Sequence, residues 1–289
     1  MIKKGIILAG GLGTRMSPLT KSVNKQLLPL YDKPLIFYPL SVLMLAGIRN
    51  ILIIVNKGQL SEFKKILPEK NNIGLKLQYL EQDKPRGLPD AFVIGEKFIS
   101  KDNVALILGD NFFHGQNLTY KLTESVKLSK GAKVFLHPVK NPSAYGVATI
   151  KNNNKILKII EKPKNPKSNL AVTGLYFFDN KVINFSKKLK PSKRKEIEIT
   201  DLLNKYLKKR QLKAEFIGRG GSWLDAGSIG DFYKASNYVN AVENRQGLKI
   251  ACIEEIAFNK KWISKKEIIN SIKFYGKCDY SKYLRDLIK

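Results

Sequence analysis

The run Gly10-Gly11-Leu12-Gly13-Thr14-Arg15 follows an apolar stretch from Lys3 to Ala9, and Lys25 stands ten residues after Arg15. Glycines after a strand let backbone N–H groups approach phosphate closely, because no Cβ stands in the way. Two familiar phosphate loops do not fit. A P-loop requires Lys-Ser or Lys-Thr after its last glycine, and no glycine here has that sequel. A dinucleotide fingerprint requires a third glycine where this chain has Met16, and an acid where the second strand ends at Asn56. What remains offers backbone donors, a bidentate guanidinium and an ammonium within a short contour, for which polyphosphate is the natural ligand. A glycine turn with solvated basic residues is the competing reading. Only eight arginines occur in the chain, and the placement of one in this loop favours the phosphate reading.

Carboxylates supply the second candidate chemistry. Asp110 closes the apolar run Val104–Leu108, at the carboxyl edge of a strand where open α/β sheets bind ligands. Asp225 follows Ser222-Trp223-Leu224 and precedes Ala226-Gly227. Two separate carboxylates, completed by phosphate oxygens and water, suit Mg²⁺. Spacing alone leaves Asp110 equally open as a turn residue. Glu161-Lys162-Pro163 presents an acid and an ammonium at a strand end, to grip a sugar hydroxyl and a phosphate or to form a solvated turn. Tyr145-Gly146 and Arg194 are ambiguous in the same way. Phe37-Tyr38 and Tyr176-Phe177-Phe178 read as core. His114 and His137 are the only histidines, and Cys252 and Cys278 the only cysteines, both expected to be buried or inert. That scarcity excludes a disulfide framework and a Cys/His zinc site, and disfavours histidine-based nucleophilic catalysis.

The elements that must position these residues alternate. Strands are predicted at residues 3–9, 51–55, 75–80 and 104–108, with helices over 35–46 and 90–99, which implies a parallel sheet. From about residue 131 strands follow one another at 132–137, 146–150, 156–160 and 172–178, so antiparallel additions are expected, with Asn152-Asn153-Asn154 as a turn. A helix from Thr200 to Leu207, a strand near 214–217 and a helix over 228–242 capped by Ser228 come next. Residues 254–289 read as helices outside the sheet. The organisation is expected to be a single unit of three parts, 1–130, 131–227 and a C-terminal helical part over 228–289.

The formal charge of +28 suggests nucleic acid at first sight. Lysines are nevertheless spread along the whole chain instead of clustering, which points to compositional bias, and nucleic acid is not expected as a partner. Small phosphorylated substrates would still be drawn in by the field. No apolar run reaches the length of a membrane span, and the N-terminus lacks a cleavage site for export, so a cytoplasmic protein with no membrane partner is expected.

LAGGLGTRMSPLT, KQLLPLYDKPLIFYPLSVLMLAGIR, LGDNFFHG, YGVATI, EKPKNPKSNLAVTGLY, EIEITDLLNKYL, GSWLDAGS and ENRQGLKIACIEEIAF occur in this order. With them the chain closely resembles the glucose-1-phosphate thymidylyltransferases, essentially end to end. The resemblance implies a Rossmann-like mixed, mostly parallel α/β sheet flanked by helices, with an antiparallel sugar-binding elaboration and C-terminal helices. It implies formation of dTDP-glucose and pyrophosphate from dTTP and glucose 1-phosphate, as a first step towards dTDP-deoxysugars of the rhamnose type. It places the nucleotide at Leu8, Gly10, Gly11, Gly13, Thr14, Arg15, Lys25, Gln26, Gln82, Gly87 and Asp110, and the sugar phosphate at Asn111, Tyr145, Gly146, Glu161, Lys162, Val172 and Arg194. Mg²⁺ would sit on Asp110 and Asp225, with Arg15, Lys25, Lys162 and Asp110 as the catalytic groups. It also implies a homotetramer with a second nucleotide-sugar site at Gly115, Arg219, Ala251, Glu255 and Ile256. Departures are local: Pro89-Asp90 replaces Ala-Gln beside the base, Lys195 replaces a glycine after Arg194, and Ala226 replaces a threonine. The first opens UTP as an alternative substrate and the other two bear on the efficiency of the sugar end; another sugar 1-phosphate is a further alternative, and a basic nucleic-acid-binding protein is the distant rival.

Overall fold

In the computed structural model, which describes residues 1–151 and 154–289, the expected strands form one mixed sheet. The first half of the chain contributes β1 (Lys4–Ala9), the hairpin strands β2 (Pro29–Leu30) and β3 (Lys33–Pro34), and then α1 (Phe37–Leu45), β4 (Asn50–Asn56), α2 (Leu60–Ile66) and β5 (Lys76–Gln82). It continues through α3 (Asp90–Ile94), α4 (Glu96–Ile99), β6 (Val104–Leu108), β7 (Asn111–Gly115) and α5 (Leu118–Ser125). The second half contributes β8 (Ala132–Pro138), β9 (Gly146–Ile150), β10 (Ile156–Glu161), β11 (Leu170–Phe178), α6 (Val182–Lys187), α7 (Ile199–Lys208), β12 (Leu212–Phe216) and β13 (Gly221–Asp225). Helices α8 (Ile229–Gln246), α9 (Ile253–Asn259), α10 (Lys265–Tyr275) and α11 (Asp279–Leu287) end the chain.

The main sheet runs β10-β9-β11-β6-β1-β4-β5, with β8 and then β12 branching from β11. Strands β6, β1, β4 and β5 are mutually parallel. Strand β11 runs antiparallel to β6, β8 and β9, and so joins the parallel half to the antiparallel elaboration. Successive side chains of a strand face opposite ways, and both faces here are covered. Ile7, Ile51, Ile53 and Ile107 therefore enter one core with α1 and α9, while Ile6, Leu52, Ile54 and Leu106 enter another with α3, α6 and α7. Burying each such side chain contributes about 1.5–3 kcal/mol, which explains why these strands read as unbroken apolar runs.

One expectation needed adjustment. The helix anticipated over 90–99 is two short helices meeting at Gly95, where a Cβ would press on Leu52 and Ile6 of the sheet. The small sheet pairing β13 with β7 was not anticipated. Cys252 is buried, but Cys278 is exposed, and both are free thiols. Asn152 and Asn153 of the expected turn lie outside the described residues. Ser228 caps α8 as expected, accepting the Asp231 N–H at 3.2 Å. Among the described residues no helix is long and apolar enough to cross a membrane.

Candidate active site

The carboxyl ends of β1, β5 and β6 open into a cleft of about 460 Å³. Its first wall is the glycine loop. Gly13 adopts φ 62°, and a Cβ on Gly10 would fall 2.2 Å from Gln82 Nε2, which instead donates to the Gly10 carbonyl at 2.6 Å. A side chain at Gly10 would have to displace the Gln82 amide, and Gly13 takes a backbone conformation that side chains rarely adopt. Asn24 pins the next turn: its Oδ1 accepts the Gln26 N–H at 2.8 Å, and its Nδ2 donates to the Ala9 carbonyl at 3.3 Å. That turn carries Lys25 and Gln26 into the interior, where they are 5% and 2% exposed. Lys25 Nζ forms an ion pair with Asp110. Gln26 Oε1 is buried without a hydrogen-bond partner in a cleft-lining residue.

Asp110 and Asp225 are brought together by backbone. Asp225 pairs with Asn111 across β13 and β7, and the Ala226 N–H donates to the Asp110 carbonyl at 3.0 Å. Burial pushes the Asp225 carboxyl up to about 7, the charge of Asp110 adds to this, and Lys25 and Arg15 pull the other way. Burial would also raise Asp110, but the Lys25 ammonium and a hydrogen bond from Asn111 more than offset it, holding that carboxyl below its usual range. The charge of Asp110 raises Asp225 even with Lys25 and Arg15 nearby, so a divalent cation bound by both carboxylates would relieve that repulsion. Among the described residues no third His, Cys, Asp or Glu completes a cluster for metal binding. An all-oxygen donor set of two carboxylates fits Mg²⁺, which takes its other ligands from phosphate and water.

The opposite wall comes from the antiparallel elaboration. Glu161 at the end of β10 pairs with Gly146 at the start of β9, and the Lys162 N–H donates to the Tyr145 carbonyl at 3.0 Å. Gly146 leaves no room for a Cβ, since Thr200 would lie 2.8 Å away. Burial and Glu198 raise the Glu161 carboxyl, against Lys162 and Arg194. The Arg194 guanidinium lies 2.8 Å from Glu196, 3.1 Å from Glu198 and 3.7 Å from Glu161. Lys195, where the resemblance expects glycine, takes φ 62°.

Every residue expected at the nucleotide, metal and sugar-phosphate positions lines this one cleft: Leu8, Gly10, Gly11, Gly13, Thr14, Arg15, Lys25, Gln26, Gln82, Gly87, Asp110, Asn111, Tyr145, Gly146, Glu161, Lys162, Val172, Arg194 and Asp225. Lys162 is exposed as a turn residue would be, yet it faces the cleft. Tyr176, read as core, is buried and lines the cleft as well. Sequence reasoning passed over Trp223, which is 6% exposed and forms the floor. Its Nε1 donates to Asn111 Oδ1 at 2.6 Å, and its ring lies 5.1 Å from that of Tyr145. The signal was available: Trp223 is two residues before Asp225 on a strand and so shares its face. Leu88, Glu198 and Thr200 were also overlooked. The residues of the expected second site do not line the cleft. Gly115 ends β7, Arg219 is exposed before β13, Ala251 precedes α9, and Glu255 and Ile256 lie on α9, with Glu255 accepting from Tyr283 at 2.8 Å.

The family model for nucleotidyl transferases matches residues 4–242. The chain belongs to the nucleotidyl transferase family. Within the family it groups with glucose-1-phosphate thymidylyltransferases, being 50% identical to that of Neisseria gonorrhoeae and 48% to that of Neisseria meningitidis, each over 99% of both chains. A solved family structure from Bacillus anthracis, described provisionally as the same enzyme and holding sucrose, is 41% identical, with a TM-score of 0.75 over 81% of this chain and 94% of that one.

Proposed function

We propose that this chain transfers a thymidylyl group from dTTP to α-D-glucose 1-phosphate, giving dTDP-glucose and pyrophosphate. The observation that supports this most is the single cleft with a glycine loop, Arg15 and Lys25 on one wall, Lys162 and Arg194 on the other, and Asp110 with Asp225 at the junction. Residues 1–130 would hold the nucleotide and 131–227 the sugar phosphate.

A phosphate oxygen of glucose 1-phosphate attacks the α-phosphorus in line, the bond to the bridging oxygen breaks, and pyrophosphate carries away the electron pair. Two polyanions must meet, and each unit pair of charges repels by about 1 kcal/mol at about 4 Å even in water. Arg15 and the N–H groups of the glycine loop hold the leaving phosphates, and Lys25 faces the α-phosphate from the floor. Lys162 and Arg194 hold the attacking phosphate, and Glu161 and Asn111 hold sugar hydroxyls. Positioning and charge neutralisation therefore carry the catalysis, and no side chain needs to become covalently attached. Mg²⁺ on Asp110 and Asp225 would neutralise charge on the reacting phosphates. The protein is read as a cytoplasmic homotetramer that acts on small molecules and needs neither nucleic acid nor a membrane.

Pyrophosphate release, measured over a matrix of dTTP, UTP and several sugar 1-phosphates with and without Mg²⁺, tests this directly. Turnover is expected to be highest with dTTP and glucose 1-phosphate and to vanish after chelation. A strong kcat/KM preference for UTP would move the reading to the uridylyl reaction, and no release with any pair would end it.

A further inference from the structure

The turn between β5 and α3 carries a charge pair that takes no part in the chemistry above. Arg86 sends Nε and Nη2 to the two oxygens of Asp90 at 3.0 and 2.8 Å, a two-pronged guanidinium–carboxylate contact. The Asp90 side chain is 5% exposed and that of Arg86 63%, so the surface arginine neutralises a carboxylate that cannot turn to water. Neither residue lines the cleft, but Gly87 and Leu88 between them do.

Gly87 has φ +126°, a conformation that side chains rarely adopt, and a Cβ there would lie 2.1 Å from the Ile197 carbonyl oxygen. The Ile197 N–H in turn donates to the Arg86 carbonyl at 2.8 Å, and the Asp90 N–H donates to the Gly87 carbonyl at 3.2 Å. The ion pair thus closes a ring across a glycine turn that backbone hydrogen bonds also hold. The turn rests, backbone against backbone, on the loop that presents Arg194.

We infer that Arg86 and Asp90 are positioning residues that clamp the Gly87 turn where the nucleotide base is bound. This rests on the nucleotide assignment proposed above. Holding the turn in its bound shape removes part of the ordering cost of binding, so the effect belongs to base affinity and not to the chemical step.

Arg86→Ala, Arg86→Lys and Asp90→Asn should be compared with wild type by KM and kcat, by calorimetric titration with dTTP, and by inhibition with inorganic tripolyphosphate, which has no base. Arg86→Ala is expected to weaken dTTP about tenfold, with kcat within about twofold and tripolyphosphate inhibition unchanged. Arg86→Lys should fall between, since an ammonium keeps the charge but cannot make the two-pronged contact. Unchanged dTTP affinity in Arg86→Ala overturns the inference, and so does an equal loss for dTTP and tripolyphosphate, which would mean general loosening. If wild type binds dTTP but turns over no pair, the proposed reaction fails while the dTTP affinities still decide this point. If wild type does not bind dTTP, both fall.

Discussion

On the wall proposed for the nucleotide the Lys25 side chain is 6% exposed and already paired with Asp110, whereas on the wall proposed for the sugar phosphate the Arg194 side chain is 36% exposed and shared among Glu161, Glu196 and Glu198. The left-handed backbone positions differ in the same sense: Gly13 and Gly87 on the first wall, Lys162 and Lys195 on the second. Arg15 on the first wall is exposed, but Asn24, Lys25, Gln26 and Gln82 are buried there before any ligand arrives. The second holds Arg194 with carboxylates that a phosphate bound there would displace. Changes to the Lys25–Asp110 pair of the first wall should therefore act on kcat, and changes to the second wall on KM for the sugar phosphate.

Asp110→Asn should have the largest effect. It keeps the shape but removes the charge that orients Lys25 and would hold Mg²⁺, and kcat should fall about 100- to 1000-fold, the scale seen when one preorganised electrostatic group is lost. Steady-state kinetics on protein with a verified melting transition would check this. A change confined to KM would erase the contrast between the walls. Lys162→Ala should raise KM for glucose 1-phosphate about tenfold with kcat changed by no more than a few-fold. An equal fall in kcat and kcat/KM would instead place Lys162 with the first wall.

Acidity gives a finer test at the junction. With the Asp225 carboxyl raised to about 7, a proton competes with Mg²⁺ there below neutrality. The half-saturating Mg²⁺ concentration should rise several-fold between pH 7 and pH 6, and a concentration that does not vary with pH would refute the assignment. For the metal-free protein the sign is opposite. A carboxyl whose pKa is raised on folding contributes stability below about pH 4, and this is lost as pH rises through about 7. Metal-free Asp225→Asn should accordingly be more stable than wild type at pH 8, by several degrees in Tm, with the difference shrinking towards pH 4.

The two walls were also unequally legible in the sequence. Strands β1, β4 and β6 are buried on both faces, so their apolar runs announced a parallel sheet and the ends at which Arg15, Lys25 and Asp110 stand. The pairing of β13 with β7 brings Trp223 opposite Phe113 from more than a hundred residues away, and no local pattern encodes that contact. The three carboxylates around Arg194 come from separate strand and loop positions, so E-K-P and Arg194 were ambiguous until the fold placed them together. Gly95 escaped notice because one glycine is tolerated within a helix, and its close approach to Ala91, Leu52 and Ile6 is set by the fold.

Lys195 gives the smallest effect and separates strain from binding. Its φ of 62° is left-handed, which costs a residue with a Cβ about 1–2 kcal/mol. The turn nevertheless closes, with the Ser192 N–H donating to the Glu196 carbonyl at 2.8 Å and the Lys195 N–H to the Ser192 carbonyl at 2.9 Å. Lys195→Gly removes the strain but gives the unfolded chain more freedom, worth about 0.5–1 kcal/mol in the other direction. A net gain of about 0.5 kcal/mol is expected, seen as a small rise in denaturation midpoint with an unchanged slope. KM for glucose 1-phosphate should stay within about twofold, because Arg194 keeps its carboxylate partners. If KM instead falls well below that of wild type while stability is unchanged, the strain is stored for release on binding, and the second wall is more preset than its exposed cations suggest.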